Sequence, residues 1–388
     1  MYQPSTNLKL CSRCFARFSG ITDPSISLEE RSRVTFENLM DRSGPISVDS
    51  VHSSSCSLCG GILDDLDRLY AALEPDLNRF EFQSFLLGAR TTPEQDAIEN
   101  DLGVILEVKV DKLSKEFKRE FGKYLEKKTG KNVSFDDPDV IILFEFQHLS
   151  FKLQIKPIFV YGTYRKIARG IPQTRWIHRK DLDDSIETQI GECLTPLTCG
   201  LEFHLHGAGR EDVDVLMLGN GREFIIESEK PRRRSFELKN LENCVNESSP
   251  TVRIENLRFA SRKDVIKLKD TTYDKTYRAT IISTSPIIRE RLENAVLNLS
   301  GKDIYQRTPL RVTGSRSDLV RTRRIVSLKL DSVSGNEANI TIRAQAGTYI
   351  KEMIHGDRGR TNPSLAELYG EEVQVKELDV IWIHRSDE

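Results

Sequence analysis

The sequence predicts an α+β protein, a mostly antiparallel C-terminal domain preceded by a smaller zinc-binding α/β module. Two Cys-x-x-Cys knuckles stand near the N-terminus, a helix-period segment and two strand-period segments follow between residues 113 and 155, and short strands and turns dominate from residue 177 onward. The chain has 388 residues, too many for one ordinary hydrophobic core, so two or three domains are expected. We place them at 1–60 (cysteine-knuckle segment), 61–165 (α/β module) and 166–388 (the larger domain).

The knuckles are Cys11-x-x-Cys14 and Cys56-x-x-Cys59, separated by 41 residues. Each can offer two thiolates to one tetrahedral ion, and a closed four-sulfur site is structural because no position remains for substrate. Structural zinc is therefore expected, with free buried thiols or a redox pair as the competing reading and His52 as a possible replacement for one thiolate. Between the knuckles, Ser27-Leu28-Glu29-Glu30 has the form of a capping box and predicts a helix start. Cys193, Cys199 and Cys244 lack knuckle spacing and read as packing residues.

Next, Val104 to Val110 reads as a strand, and Leu113, Phe117, Phe121, Tyr124 and Leu125 mark one face of a helix that Gly130 can end. A continuous apolar strand, Val140 to Phe144, precedes an alternating one at Phe151, Leu153 and Ile155. Tyr161 to Trp176 interleaves basic residues with aromatics, a mixture that can grip phosphates while rings stack, and it reads as the joint between two domains or as an ordinary basic linker. Beyond it, Glu223 to Glu227, Tyr277 to Ser283, Ile325 to Leu330 and Ile340 to Ala346 read as strands, the last two joined by a hairpin around Ser334-Gly335-Asn336-Glu337. Asn362-Pro363 predicts a short helix with proline at its first position, and Val373 to Ile383 a final strand.

A hydrophobic content of 38% suits folded protein, and no run of about 18 apolar residues occurs. The first residues lack the basic and apolar regions of a signal peptide, so a cytoplasmic location without membrane contact is expected. The net charge of −2 conceals an uneven distribution. Residues 61–110 hold eleven acids against four Lys/Arg, whereas residues 301–326 hold seven Lys/Arg against two acids, a basic surface suited to phosphates. No P-loop, dinucleotide fingerprint or serine elbow occurs, which removes the commonest cofactor classes.

Asp212, in Gly209-Arg210-Glu211-Asp212-Val213-Asp214-Val215, lies at a predicted loop-to-strand boundary, where a side chain can project into a cleft. On residues alone three readings stay open: a cleft carboxylate, a magnesium nuclease displaying Glu211, Asp212 and Asp214, or surface ion pairs with Arg210. A protein that only binds RNA is a further alternative. His204-x-His206 has metal-ligand spacing on a strand but no third ligand at a telling distance in sequence.

Several motifs together break the tie. Gly209-Arg210-Glu211-Asp212 resembles the G-R-x-D element of pseudouridine synthases, and the longer run Ala208-Gly209-Arg210-Glu211-Asp212-Val213-Asp214-Val215 resembles one branch of them, whose other motifs are matched in order by Leu218-Gly219-Asn220-Gly221-Arg222, Gln306-Arg307-Thr308-Pro309-Leu310-Arg311-Val312, Val320-Arg321-Thr322-Arg323, Gln345-Ala346-Gly347-Thr348-Tyr349-Ile350-Lys351-Glu352 and His355-Gly356-Asp357-Arg358-Gly359-Arg360-Thr361. With the knuckles in front, the chain resembles the archaeal and eukaryotic tRNA pseudouridine-54/55 synthase family, which joins a zinc and THUMP-containing module to a catalytic domain. Leu216 and Thr163 depart from the family pattern. The resemblance implies that Asp212 is the essential carboxylate, Lys351 its basic partner, Tyr277 the ring that stacks on uracil and a candidate to remove the C5 proton, and Tyr349 and Arg210 further substrate contacts. It also implies a tRNA substrate gripped at its T-arm and acceptor region, no catalytic cofactor and no required protein partner. Arg307, Arg311, Arg321, Arg323 and Arg324, with Lys230 and Arg232 to Arg234, are the expected phosphate contacts.

Overall fold

The computed structural model describes residues 8–21, 23, 25–41, 49–50, 55–175, 184–314 and 316–385; His52 and Trp176 lie outside the described residues. The chain divides into two compact units, Met1–Lys156 with Lys230–Arg234, and Pro157–Glu229 with Ser235–Glu388. The boundary thus falls at 156/157 rather than 165/166. The reason is that Ile158–Lys166 is no linker: it is a nine-residue strand of the second unit's sheet, with Tyr164 and Lys166 fully buried.

In the first unit the cysteine segment and the α/β module share one core, in which the four knuckle cysteines pack with Leu73, Phe85, Phe117 and Phe144. Cys11 caps the helix Ser12–Ala16, and Ser27 caps Leu28–Asp41 by accepting from the Glu30 amide at 3.1 Å, as its capping box predicts. A four-stranded sheet runs in the order Asn132–Val133, Ser84–Arg90, Val140–Glu145, Ser150–Ile155. The helix Leu113–Thr129 buries Phe117, Phe121 and Leu125 and ends at Gly130, whose φ of +66° suits glycine. Phe117 stacks on Phe144 at 4.7 Å between ring centres.

The predicted strand over Val104 to Val110 is incorrect. Residues Pro93–Leu106 form a helix, started by a capping box between Thr92 and Gln95 with Pro93 in its first turn. Leu102 and Leu106 are its buried face, while Val104 points to solvent. The apolar run belongs to the end of a helix whose start signal lies twelve residues upstream. A buried ion pair, Arg17 with Glu99, ties this helix to the cysteine segment, and Glu99 also accepts from the Leu113 amide at 2.7 Å.

The second unit is built on a ten-stranded sheet. Its order is Val252–Ala260, Ile158–Lys166, Leu216–Glu229, Val373–His384, Asp274–Ser283, Glu337–Ala344, Val320–Ser334, Asp303–Arg307, Thr361–Asn362, with Glu202–Gly207 also pairing on Leu216–Glu229. Every pairing is antiparallel except Val373–His384 with Leu216–Glu229. Strict alternation appears in Glu337–Ala344, where Ala338, Ile340, Ile342 and Ala344 point inward. The hairpin is as predicted, with Ser334 opposite Glu337 across Gly335-Asn336.

Helices Ile186–Thr198 and Leu238–Ser248 contribute Ile186, Ile190, Leu194, Leu241 and Val245 to the core, and Arg289–Leu299 contributes Leu292, Val296 and Leu299. Cys193 and Cys244 are more than packing residues: a disulfide links them across 51 residues of sequence. Cys199 is a free thiol and the left-handed cap of the first of these helices. The helix predicted to open on Pro363 instead starts at Leu365, capped by Ser364 in a box with Glu367, because the serine hydroxyl satisfies an amide that proline cannot. No helix among the described residues is long and apolar enough to cross a membrane.

Candidate active site

Asp212 lies in the loop between the strands Glu202–Gly207 and Leu216–Glu229, facing a cavity of about 650 Å³. The strand begins only at Leu216; Asp212 to Val215 form a turn, closed by the Val215 amide on the Asp212 carbonyl at 3.1 Å. Gly209 enters this loop at φ +83°, a region closed to most side chains.

Beneath the loop the neighbouring carboxylate turns inward. The Glu211 side chain is buried and pairs with that of the equally buried Arg222, Oε2 to Nε at 2.7 Å. The Tyr164 hydroxyl donates to the same carboxylate at 2.8 and 2.9 Å, and Arg222 Nη1 donates to the Ala208 carbonyl at 2.6 Å. Burial raises the Tyr164 pKa well above its ordinary value, with the Glu211 charge adding to it. Burial also opposes the Arg222 charge, but Glu211 and other neighbours outweigh it and the guanidinium pKa ends above normal. Lys166, with no exposed surface, donates from Nζ to the carbonyls of Ile171, Asp212 and Val213 at 2.8, 3.2 and 2.8 Å. The backbone under Asp212 is therefore held from below by a buried ammonium. This arrangement disposes of the nuclease display: Glu211 is an internal counter-ion, and cannot join Asp212 and Asp214 on a metal.

Above the loop, Asp212 is flanked by two cations, Arg311 Nη1 at 3.2 Å and Lys351 Nζ at 3.4 Å. Lys351 is closer still to Asp214, at 2.7 and 2.8 Å. Partial burial pushes the Asp214 pKa up, but the Lys351 hydrogen bond and charge prevail and leave it below the ordinary carboxylate range. Arg311 is oriented by a second bond, Nε to Glu352 Oε1 at 2.8 Å, from a carboxylate that is itself buried. Lys351 and Glu352 occupy the first turn of the helix Ile350–His355.

Tyr277 lines the cavity from the strand Asp274–Ser283, its hydroxyl pushed up to about 12 by burial, with Asp212 adding to the shift and Arg222 opposing it. Lys275, two residues away on the same face, is pushed down to about 8 by burial and by Arg222. The Tyr349 hydroxyl accepts from Arg316 Nη1 at 2.9 Å, and its backbone is clamped by Gln306 on both sides, N to Oε1 and O to Nε2, each at 2.9 Å. Arg210 is exposed on the cavity wall.

The structure thus brings Asp212, Arg210, Tyr277, Tyr349 and Lys351 together on one cavity. Arg311, expected on the RNA side, joins them as a neighbour of Asp212. Arg321 and Arg323 do not line the cavity; Arg321 donates to Thr308 Oγ1 at 3.0 Å and Arg323 to the Thr322 carbonyl at 2.8 Å. Arg234 was expected on phosphate, but it is mostly buried within the first unit, donating to the Lys156 carbonyl and lying 3.8 Å from Asp139. Sequence reasoning missed the supporting residues Tyr164, Lys166, Arg222, Arg316 and Glu352. Arg222 stands inside a quoted motif, yet nothing local in sequence tells a buried arginine from an exposed one.

In the first unit, Cys11, Cys14, Cys56 and Cys59 are buried with their sulfurs all within 4.8 Å of one another, Cys11 and Cys59 at 3.6 Å. Sulfurs about 2.3 Å from a tetrahedral zinc sit roughly 3.8 Å apart, so the set fits one four-coordinate ion and leaves no open position. The cluster can hold a structural metal.

Two family models match the chain: "Pus10, C-terminal" over residues 159–384 and "Pus10 THUMP domain, archaeal" over residues 71–145. Among curated proteins, the chain is 44% identical to the tRNA pseudouridine synthase Pus10 of Thermoplasma acidophilum, covering all of both chains. It is 39% identical to that of Picrophilus torridus, covering 98% of each, and 36% identical to that of Pyrococcus furiosus, covering 96% of this chain and 94% of the relative.

Proposed function

The chain belongs to the Pus10 family of tRNA pseudouridine synthases, and from that premise we propose that it isomerises uridine to pseudouridine in tRNA, at position 54, 55 or both of the T-loop, with Asp212 as the essential carboxylate. The carrying observation is that Asp212 lines the cavity between two cations, in company with Tyr277, while the neighbouring Glu211 carboxylate is tied up in its pair with Arg222.

The reaction breaks the uracil N1 to ribose C1′ bond, turns the base, and forms C5 to C1′, while C5 loses a proton and N1 gains one. Nothing is oxidised or reduced, so the chemistry calls for no redox partner. Asp212 acts as a nucleophile at C1′ or as the base of a glycal route, and either requires an ionised carboxylate in a site that substrate has emptied of water. Arg311 and Lys351, at 3.2 and 3.4 Å, set two positive charges beside that carboxylate. The carbonyl grip of Lys166 and the buried Glu211–Arg222 pair fix the backbone, so that the carboxylate need not reorganise during reaction.

Extruding a uridine from folded RNA costs roughly a few kcal/mol. Stacking on a ring returns about 1–3 kcal/mol per base, which is the role of Tyr277. With its hydroxyl at about 12, Tyr277 stays protonated at neutral pH, which suits a stacking platform better than a free tyrosinate base. Tyr349 and Arg210 contact the flipped nucleotide, and Arg321 and Arg323 serve phosphates outside the cavity. The metal of the four-cysteine site is zinc, and the THUMP-containing unit engages the acceptor region of the tRNA. The protein works in the cytoplasm and needs no protein partner.

The test is incubation of an unmodified tRNA transcript with the protein, carbodiimide labelling and primer extension, with Asp212→Asn in parallel. An Asp212-dependent stop in the T-loop is expected, with tRNA affinity of the variant within a few-fold. Near-normal turnover by Asp212→Asn would remove the residue from this role.

A further inference from the structure

We propose that the strand pair Glu202–Gly207 and Leu216–Glu229 carries a second metal site, separate from the cysteine cluster and from the Asp212 cavity. It would take one solvent-accessible dication of the zinc class on Glu202, His204 and Glu229. These strands pair antiparallel, with Glu202 directly opposite Glu229 and His204 opposite Glu227. The ligand atoms of the three residues lie within 4.8 Å of one another, His204 Nε2 being 3.3 Å from Glu229 Oε1 and 3.7 Å from Glu202 Oε2. Nitrogen and oxygen ligands about 2.1 Å from an ion sit roughly 3.0–3.4 Å apart in octahedral or tetrahedral geometry, so small side-chain adjustments close the set on a metal.

Charge gives a second, independent reason. Two carboxylates directly opposite each other on paired strands repel. Among the described residues neither Glu202 nor Glu229 is paired with a lysine or arginine; His204 is their shared partner. The adjacent carboxylate is handled differently: Glu227 is bonded to His206 at 2.9 Å and lies 3.9 Å from Arg262, so it is already neutralised. A dication between Glu202 and Glu229 would cancel the excess where the fold leaves it. One imidazole with two carboxylates suits zinc, cobalt or nickel, while three protein ligands leave positions for water. The cluster lies at the end of the strand pair remote from the Asp212 loop, so an ion there would pin the ribbon's open end.

The experiment is titration of tag-free, zinc-loaded protein with Co²⁺, followed by absorption spectroscopy and equilibrium dialysis, for wild type, His204→Ala and Glu229→Gln. The expected result is one additional ion per chain, with weak visible bands and no thiolate charge-transfer band. Each variant, its fold checked by circular dichroism, should bind that ion more than about tenfold more weakly. Wild type that takes up no further ion, or variants that bind it as tightly as wild type, would overturn the proposal.

Discussion

Replacing Arg222 by methionine tests whether the floor of the Asp212 loop is held by charge. Arg222 and Glu211 are both buried and meet at 2.7 Å, and the pair is completed by the Tyr164 hydroxyl and the Ala208 carbonyl. Methionine fills much of the volume but leaves Glu211 as a buried charge without its cation, a loss of about 3–5 kcal/mol. For a unit of this size each kcal/mol moves Tm by roughly 2–4 °C, so Arg222→Met should lower Tm by about 6–20 °C. The double variant Glu211→Gln/Arg222→Met removes both charges while Gln still accepts from Tyr164, and it should recover much of the loss. Thermal unfolding of wild type, both singles and the double closes the cycle. The reasoning is refuted if Arg222→Met costs less than about 1 kcal/mol, below the range for breaking a buried pair, or if the double variant is destabilised by the full sum of the singles.

Two further outcomes follow from the same structure. Lys275, at about 8 folded against an ordinary 10.5, is protonated in both states below pH 8, where the full penalty of burying its ammonium is present. Between about pH 8 and 10.5 the unfolded chain binds the extra proton and stability rises with pH, so Lys275→Met should be more stable than wild type at pH 7 and lose that advantage by pH 10.5, as read by urea unfolding at a series of pH values. Cys11→Ser with Cys14→Ser removes half of the four-sulfur set, and elemental analysis should show loss of about one zinc per chain together with a less stable first unit, which shares its core with these cysteines.

Much of the candidate site and of the cysteine cluster was legible because their members stand in local patterns. Asp212 follows a Gly-Arg turn, Lys351 follows Gly347-Thr348-Tyr349, and the cysteines have knuckle spacing. What holds them was not. Tyr161 to Trp176 looked like a basic, aromatic joint, but Tyr164 and Lys166 are core residues, and their partners Glu211 and Asp212 lie more than forty residues away. A lysine that donates to three carbonyls has the same local sequence as one in water; only the fold supplies its acceptors. The helix Pro93–Leu106 was missed for a different reason: its start signal, Thr92 to Gln95, was readable, but the apolar residues at its end outweighed it.

The Cys193–Cys244 disulfide makes the segment around the proposed catalytic loop a covalent ring, since residues 193 to 244 contain the strands Glu202–Gly207 and Leu216–Glu229 and Asp212 between them. Cleavage of one peptide bond inside the ring, in the Asp212 loop or in the turns beyond it, therefore releases no fragment. The nicked chain keeps its full mass on a non-reducing gel and separates in two only when the disulfide is reduced. Proteases can open this loop without either of its ends leaving the molecule.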